Sequence, residues 1–330
     1  LGVTGPVTVP GEEETVTAAN VLGLVLKHTQ QFPPDSEASE AGGAVGEGED
    51  AGVAGPAIQS SVESGDEWSA EDRKQFVYSL GTALARRARA LPVTRWPEVA
   101  RALARAAGER HIQVHLEDPA LRRLARALGW DGAFPPPSDD FLAVVDSNVG
   151  YNKANLVTDQ ALEYRVVVAP DGGTTAALTV TYHNRGTAGL AFSATEMPYL
   201  HQAEYSAQVR LYVPTGSQRL PHSPISQGQH TYSELQRTVF EERVTVPVDS
   251  RRSLSVAYRL PDRRVDARRI RYTLLVRKQA GTAAVPFRLA VVPPDGWRVS
   301  PAVHAWTAET VLDVDRRFDV VFEPASSGGS

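Results

Sequence analysis

The chain has no cysteine among its 330 residues. That absence excludes structural disulfides, thiolate metal centres and thiol nucleophiles, and it fits either side of a membrane. Long apolar runs are missing as well. VLGLVL at residues 21–26 falls far short of the roughly 18–20 residues needed to cross a bilayer, so no membrane span is expected in these residues. Lysine is scarce, with four Lys against 30 Arg, a bias that genomic base composition explains more simply than a demand for bidentate anion contacts. No large excess of either charge exists: the net charge is −5. Residues 1–140 carry 13 Lys/Arg against 21 Asp/Glu, and residues 141–330 carry 21 against 18. Neither half has the basic surplus of a nucleic-acid binder. The opening residues LGVTGPVTVPG show no charged-then-apolar leader. They read as a strand and turn, so the chain is expected to be cut from something longer, with any targeting or anchoring segment ahead of it.

What is present has the ordinary composition of a globular protein, 42% hydrophobic and 22% charged, and enough length for two cores. Thr15–Gln31 reads as a helix capped by Thr17 and stopped by Pro33-Pro34. Residues 33–67 are rich in Gly, Ser, Ala and acid, lack Lys and Arg, and have no periodicity; they read as a disordered acidic insertion. Order returns at Trp68. Ser69 caps a helix in which Phe76, Leu80, Leu84 and Ala88 repeat every four residues. A second helix starts near Arg95, with Val99, Leu103 and Ala106 facing inward. HIQVHL reads as a strand by alternation. Asp118-Pro119 then opens a helix that Gly129 closes. FLAVV, from Phe141, is a buried-type strand.

From Ala161 onward the hydrophobic period changes to two. About eight strands follow, separated by turn signals such as PDGG, PTGS and KQAGT. The expected fold is therefore α+β in two domains. A partial α/β unit occupies residues 1–158, and an antiparallel immunoglobulin-like β-sandwich occupies residues 159–330.

GPVTVPG, TAANVLGLVL, RHIQVHLEDPALRRLARALGWDGA and FLAVVDSNVGYNKANL resemble the bacterial family known as domain of unknown function 4012. RLYVPTGSQRL, VAYRLP and YTLLVRKQAGT resemble the β-region that follows in that family. The likeness implies an extracytoplasmic protein of the bacterial envelope, anchored to the membrane through an N-terminal helix that is not in these residues. The first half of the family's α/β region is also missing here. Because the family's activity is unknown, the resemblance supplies no catalytic residues.

The stretch from Asp146 to Asn155 concentrates polar groups just after a buried-type strand, where ligands gather in open α/β sheets. Asp146, Asn148, Asn152 and Lys153 are the candidate ligand-binding residues, Lys153 for an anionic group and the Asn amides for hydroxyls. The simpler reading is that Asn and Asp bond their own backbone at a crossing between domains. His111 and His115, four apart on a strand, would be about 13 Å apart, too far to share a metal easily. Asp313, Asp315 and Asp319 sit in VLDVDRRFDVVF, where Asp313 and Asp315 alternate with apolar residues and read as the wet face of a strand. Arg263, Arg264, Arg268, Arg269 and Arg271, with Arg251 and Arg252, form a basic stretch that could meet an acidic polymer. No catalytic residue, metal site or cofactor is expected: the sequence has no G-x-S-x-G and no phosphate-cradling loop.

Three functional readings follow. The first is a non-catalytic extracytoplasmic cell-envelope protein whose sandwich is an interaction or spacer module, with a cell-wall glycopolymer or another envelope protein as partner. The second is a phosphotransferase-like enzyme acting on a lipid-linked or cell-wall glycopolymer. The third is a glycan-binding module using exposed rings among Trp297, Trp306, Tyr199 and Tyr205.

Overall fold

The computed structural model describes residues 1–29, 72–136, 140–150, 152–186, 203–221, 229–261, 269–299 and 305–325. The acidic insertion expected at 33–67 lies outside them. The chain divides into two compact units, Leu1–Val99 and Ala100–Ser330.

In the first unit Val7 and Val16 form an isolated antiparallel bridge. Helix α1 spans Val21–Thr29 and α2 spans Asp72–Arg89. α1 begins later than its sequence suggests, because Thr17 and Asn20 bond each other through side chains and backbone ahead of it. Alternation turns Val7 and Val9 to one side. There they cluster with Val16, Leu24, Phe76 and Leu80.

In the second unit, α3 (Trp96–Gly108) runs in from the first, and α4 covers Pro119–Ala127. Asp118 caps α4 as expected, its Oδ1 accepting from the amides of Ala120 and Leu121 at 2.8 and 2.9 Å. Gly129 takes the left-handed conformation that ends it, at φ 71°. Two expectations fail here. Leu103, placed inward by periodicity, is 54% exposed. HIQVHL forms no strand: Val114 bonds Trp130, but the residues on either side of it pair with no neighbouring strand.

Among the described residues thirteen strands follow: β1 (Asp140–Asn148), β2 (Thr158–Val168), β3 (Thr174–Asn184), β4 (Tyr205–Pro214), β5 (Gln218–Arg219), β6 (His230–Glu234), β7 (Arg237–Val246), β8 (Ser250–Arg259), β9 (Ile270–Arg277), β10 (Val285–Val292), β11 (Trp297–Val299), β12 (Trp306–Leu312) and β13 (Arg316–Pro324). They form a seven-stranded sheet in the order β11-β13-β9-β1-β4-β7-β6 and a six-stranded sheet in the order β12-β10-β2-β3-β8-β5. One apolar cluster draws on both sheets, including Leu142 and Val144 of β1, Val166 of β2, Leu211 of β4, Leu274 of β9 and Leu289 of β10. A smaller cluster, Phe141, Ala143, Tyr212 and Val239 with Phe134 against it, covers the other face of β1.

A β-rich fold is thus observed, but the sheets are mixed rather than antiparallel throughout. β1 runs parallel to β9, and β2 runs parallel to β10. The cause is a repeated crossing. The chain passes from the seven-stranded to the six-stranded sheet between β1 and β2, and does so again between β9 and β10. Two crossings in the same sense, laid side by side, align their strands in parallel. β1 sits in the middle of the seven-stranded sheet, inside the second unit.

Candidate functional site

β1 builds a polar junction by simple alternation. Asp140, Leu142, Val144, Asp146 and Asn148 share its inner face, so each end of a buried apolar stripe carries a carboxylate.

At the far end, the Asp146 carboxylate accepts from Tyr182 and Tyr205 hydroxyls at 3.0 Å each and from Gln160 Nε2 at 3.2 Å. Burial raises its pKa to about 6, and the three donors, Tyr205 foremost, pull only partly in the opposite direction. The Tyr182 phenol is pushed well above its usual value, chiefly by burial and then by the Asp146 charge. The Asp146 backbone is held as well. Its N–H donates to Gln279 Oε1 and its carbonyl accepts from Gln279 Nε2, both at 2.9 Å. Ladder pairing of β1 with β9 ends at Ala143 and Arg277, so the Gln279 amide extends that pairing with a side chain after the strand has turned away.

Beyond β1 the asparagines build the turn. Asn148 Nδ2 donates to the Asn152 carbonyl at 2.8 Å, and Asn148 Oδ1 accepts from the Gly150 amide at 2.9 Å. Asn152 Oδ1 accepts from the Ala154 amide at 3.0 Å, while its Nδ2 reaches the Glu204 carbonyl at 2.9 Å. A Cβ at Gly150 would stand 3.1 Å from Asn152 Nδ2 and 3.3 Å from Asn148 Oδ1, which is why a glycine fits there. Lys153 is exposed. Of the four candidates, then, Asp146, Asn148 and Asn152 share one junction, with their polar atoms directed to protein partners. Lys153 stands outside that network.

At the near end, Asp140 is fully buried. Its Oδ2 accepts from Tyr164 at 3.0 Å and Tyr272 at 2.5 Å, and the Tyr164 and Tyr258 hydroxyls bond each other at 2.8 Å. Sequence reading missed this centre. The signal was there: an acid two residues ahead of Leu142 is in phase with the core face, as are the tyrosines of β2, β8 and β9.

A third polar group lies at the C-terminal side of β9. Arg110, Arg277 and Lys278 are each no more than 6% exposed; the two guanidinium groups face the Asp315 carboxylate, the Lys278 backbone amide donates to it, and the Lys278 ammonium bonds the carbonyls of Gln279 and Thr282. Arg277 also donates to the Gly132 carbonyl and lies over the Phe134 ring. Burial and then the Arg110 charge lower its pKa to about 10. Arg237, 1% exposed, donates to the carbonyls of Pro135 and Pro136 and lies over Phe141. These arginines fasten residues 132–136 to the outer face of the sheet.

The remaining candidates disperse. Asp313 pairs with Arg316, Asp319 with Arg317 and Thr273. His111 lies 3.8 Å from Glu109. Among the described residues, no group of three or more His, Asp or Glu could hold a metal. Arg263, Arg264, Arg268 and Tyr199 lie outside the described residues. Trp297 and Trp306 are partly buried against the core, and Tyr205 is buried within it.

No protein-family model matches the chain, and no curated protein matches it. Among solved structures, a crystal structure from Legionella pneumophila subsp. pneumophila str. Philadelphia 1, provisionally named a nutrient binding protein, is similar to it. That protein is 10% identical, with a TM-score of 0.33, over 56% of this chain and 71% of the other. A likeness so slight carries no argument about function.

Proposed function

We propose that this chain is a non-catalytic, extracytoplasmic protein of the bacterial cell envelope whose two-sheet body is a stiff interaction or spacer module. The observation that carries the reading is the fate of the polar junction. Asp146, Asn148 and Asn152 bond the turn, the opposite sheet and Gln279, so the residues best suited to hold a ligand are used to brace the crossing between sheets. A spacer needs that stiffness. The sequence resemblance to the family of unknown function 4012 supports the envelope location and the anchoring helix ahead of these residues.

The test has two parts. Protease added to intact cells or spheroplasts carrying the full-length protein should digest this region, and protection of the region would refute the location. Lys153→Ala should leave unchanged the amount of any envelope partner recovered by crosslinking. A clear loss of that partner would make the junction a binding site rather than a brace.

A further inference from the structure

The first unit holds a groove of about 630 Å³ between residues 6–10 and helix α2, within the range of small-ligand sites. Its helix wall is built by one stripe of α2. Ser79, Thr82 and Ala83 are small and leave the hollow; Tyr78, Arg86 and Arg87 rise around them. Pro6, Val7, Thr8 and Pro10 form the opposite wall. Tyr78 is 77% exposed, which leaves its ring open to a ligand. No acidic side chain is among the lining residues, while two guanidinium groups are.

The chemistry of the walls selects among ligands. An extended peptide would pair with the 6–10 segment, whose Val7 exchanges both backbone bonds with Val16 at 3.0 and 2.8 Å. That pairing turns the C=O of Pro6 and the N–H and C=O of Thr8 away from Val16. Pro6 and Pro10 supply no N–H on either side, so Thr8 alone would donate to an added strand and such pairing is disfavoured. An apolar ligand would find hydroxyls and arginines. A sugar ring laid on Tyr78 would meet the hydroxyls of Thr8, Ser79 and Thr82 with its own, and a carboxylate or phosphate on that sugar would meet a guanidinium fork at Arg86 or Arg87.

We propose that this groove is a binding site for an acidic carbohydrate, with the pyranose face on Tyr78 and the anionic substituent on Arg86 and Arg87. The site lies in residues 1–99 and depends neither on the two-sheet body nor on an envelope location. One of the two arginines already has a structural bond, Arg87 Nε to the Thr4 carbonyl at 3.2 Å, so Arg86 is the residue to vary.

Calorimetric titration of the full chain with tetragalacturonate tests the assignment, with the fully methyl-esterified tetramer as the neutral control. Saturable binding of the acid form, weakened at least about tenfold by esterification and by Arg86→Glu, is the expected result. Tyr78→Ala should weaken it by a similar factor, and Tyr78→Phe should not. Both side chains are exposed, and unchanged thermal melts of the variants confirm that folding is intact. Absence of saturable heat, indifference to Tyr78→Ala, or equal affinity for a tetraglutamate peptide would each overturn the proposal.

Discussion

Asp146 shows how one side chain can make stability depend on pH in the direction opposite to a salt-bridged acid. Its pKa stands at about 6 in the folded chain against 3.8 for a free side chain, so the native state keeps the proton that the unfolded chain loses first. The stability this group contributes is therefore complete below pH 3.8 and is lost as pH rises through 6. A difference of that size corresponds to at most about 3 kcal/mol, and its half-buried position at the rim of the core brings the expectation to about 1–2 kcal/mol. Tyr182 and Tyr205 donate to different oxygens of the carboxylate, so Asp146→Asn keeps an acceptor for one of them, turns an amide donor to the other and removes the ionisation. Urea titrations at pH 4.5 and pH 8 should show the variant gaining about 1–2 kcal/mol on the parent between those values. A variant that instead loses ground toward pH 8 would mean that the carboxylate itself holds the tyrosines. The candidate residues at this junction were legible because Asn, Gly and Asp announce a turn. The direction in which the Asp146 carboxylate faces was not, since alternation fixes a face but names no partner; Tyr182, Tyr205 and Gln279 come from strands and loops far along the chain.

The β6–β7 hairpin shows the same limit for whole elements. Its two turn residues, Leu235 and Gln236, sit at φ 50° and 56°, in the left-handed region that Asn-Gly normally occupies in such a turn. Sequence reading skipped β6 because Leu-Gln is no turn signal and because all five residues of HTYSE are exposed, so no apolar alternation marks a strand. Left-handed backbone costs an ordinary residue roughly 1 kcal/mol. Replacing Leu235-Gln236 by Asn-Gly should therefore raise stability by about 1–2 kcal/mol, seen as a higher melting temperature with an unchanged circular dichroism spectrum. No gain would mean that the Leu235 side chain returns as much as its backbone costs. Elsewhere, what a few neighbouring residues decide was read correctly: the Asp118 cap, the Gly129 stop and the period-two strands. Strand direction was not readable, because a strand that alternates looks the same whether its partner runs with it or against it. The VLDVDRRFDVVFEP segment, read as one strand, breaks at Asp313–Asp315 into the end of β12 and the whole of β13, with Asp315 turned to Arg110 and Lys278.

At the scale of the molecule, two interiors of unequal size share one chain. The smaller rests on Val7, Val9, Val16, Leu24, Phe76 and Leu80, while the larger spans both sheets. Calorimetry should accordingly resolve two unfolding transitions, and residues 96–330 expressed alone should reproduce the upper one. A single transition lost on truncation would show that the interiors are coupled. The placement of β1 reaches further, into synthesis. FLAVV leaves the ribosome early, and its neighbour β4 follows, but its other edge waits for β9, whose first residue is Ile270. At roughly 5–20 residues per second, the interval from Phe141 to Ile270 is on the order of ten seconds. Throughout that time a greasy strand has one bare flank. A cell making this protein must supply a temporary tenant for that flank, or accept that nascent chains stall against one another there.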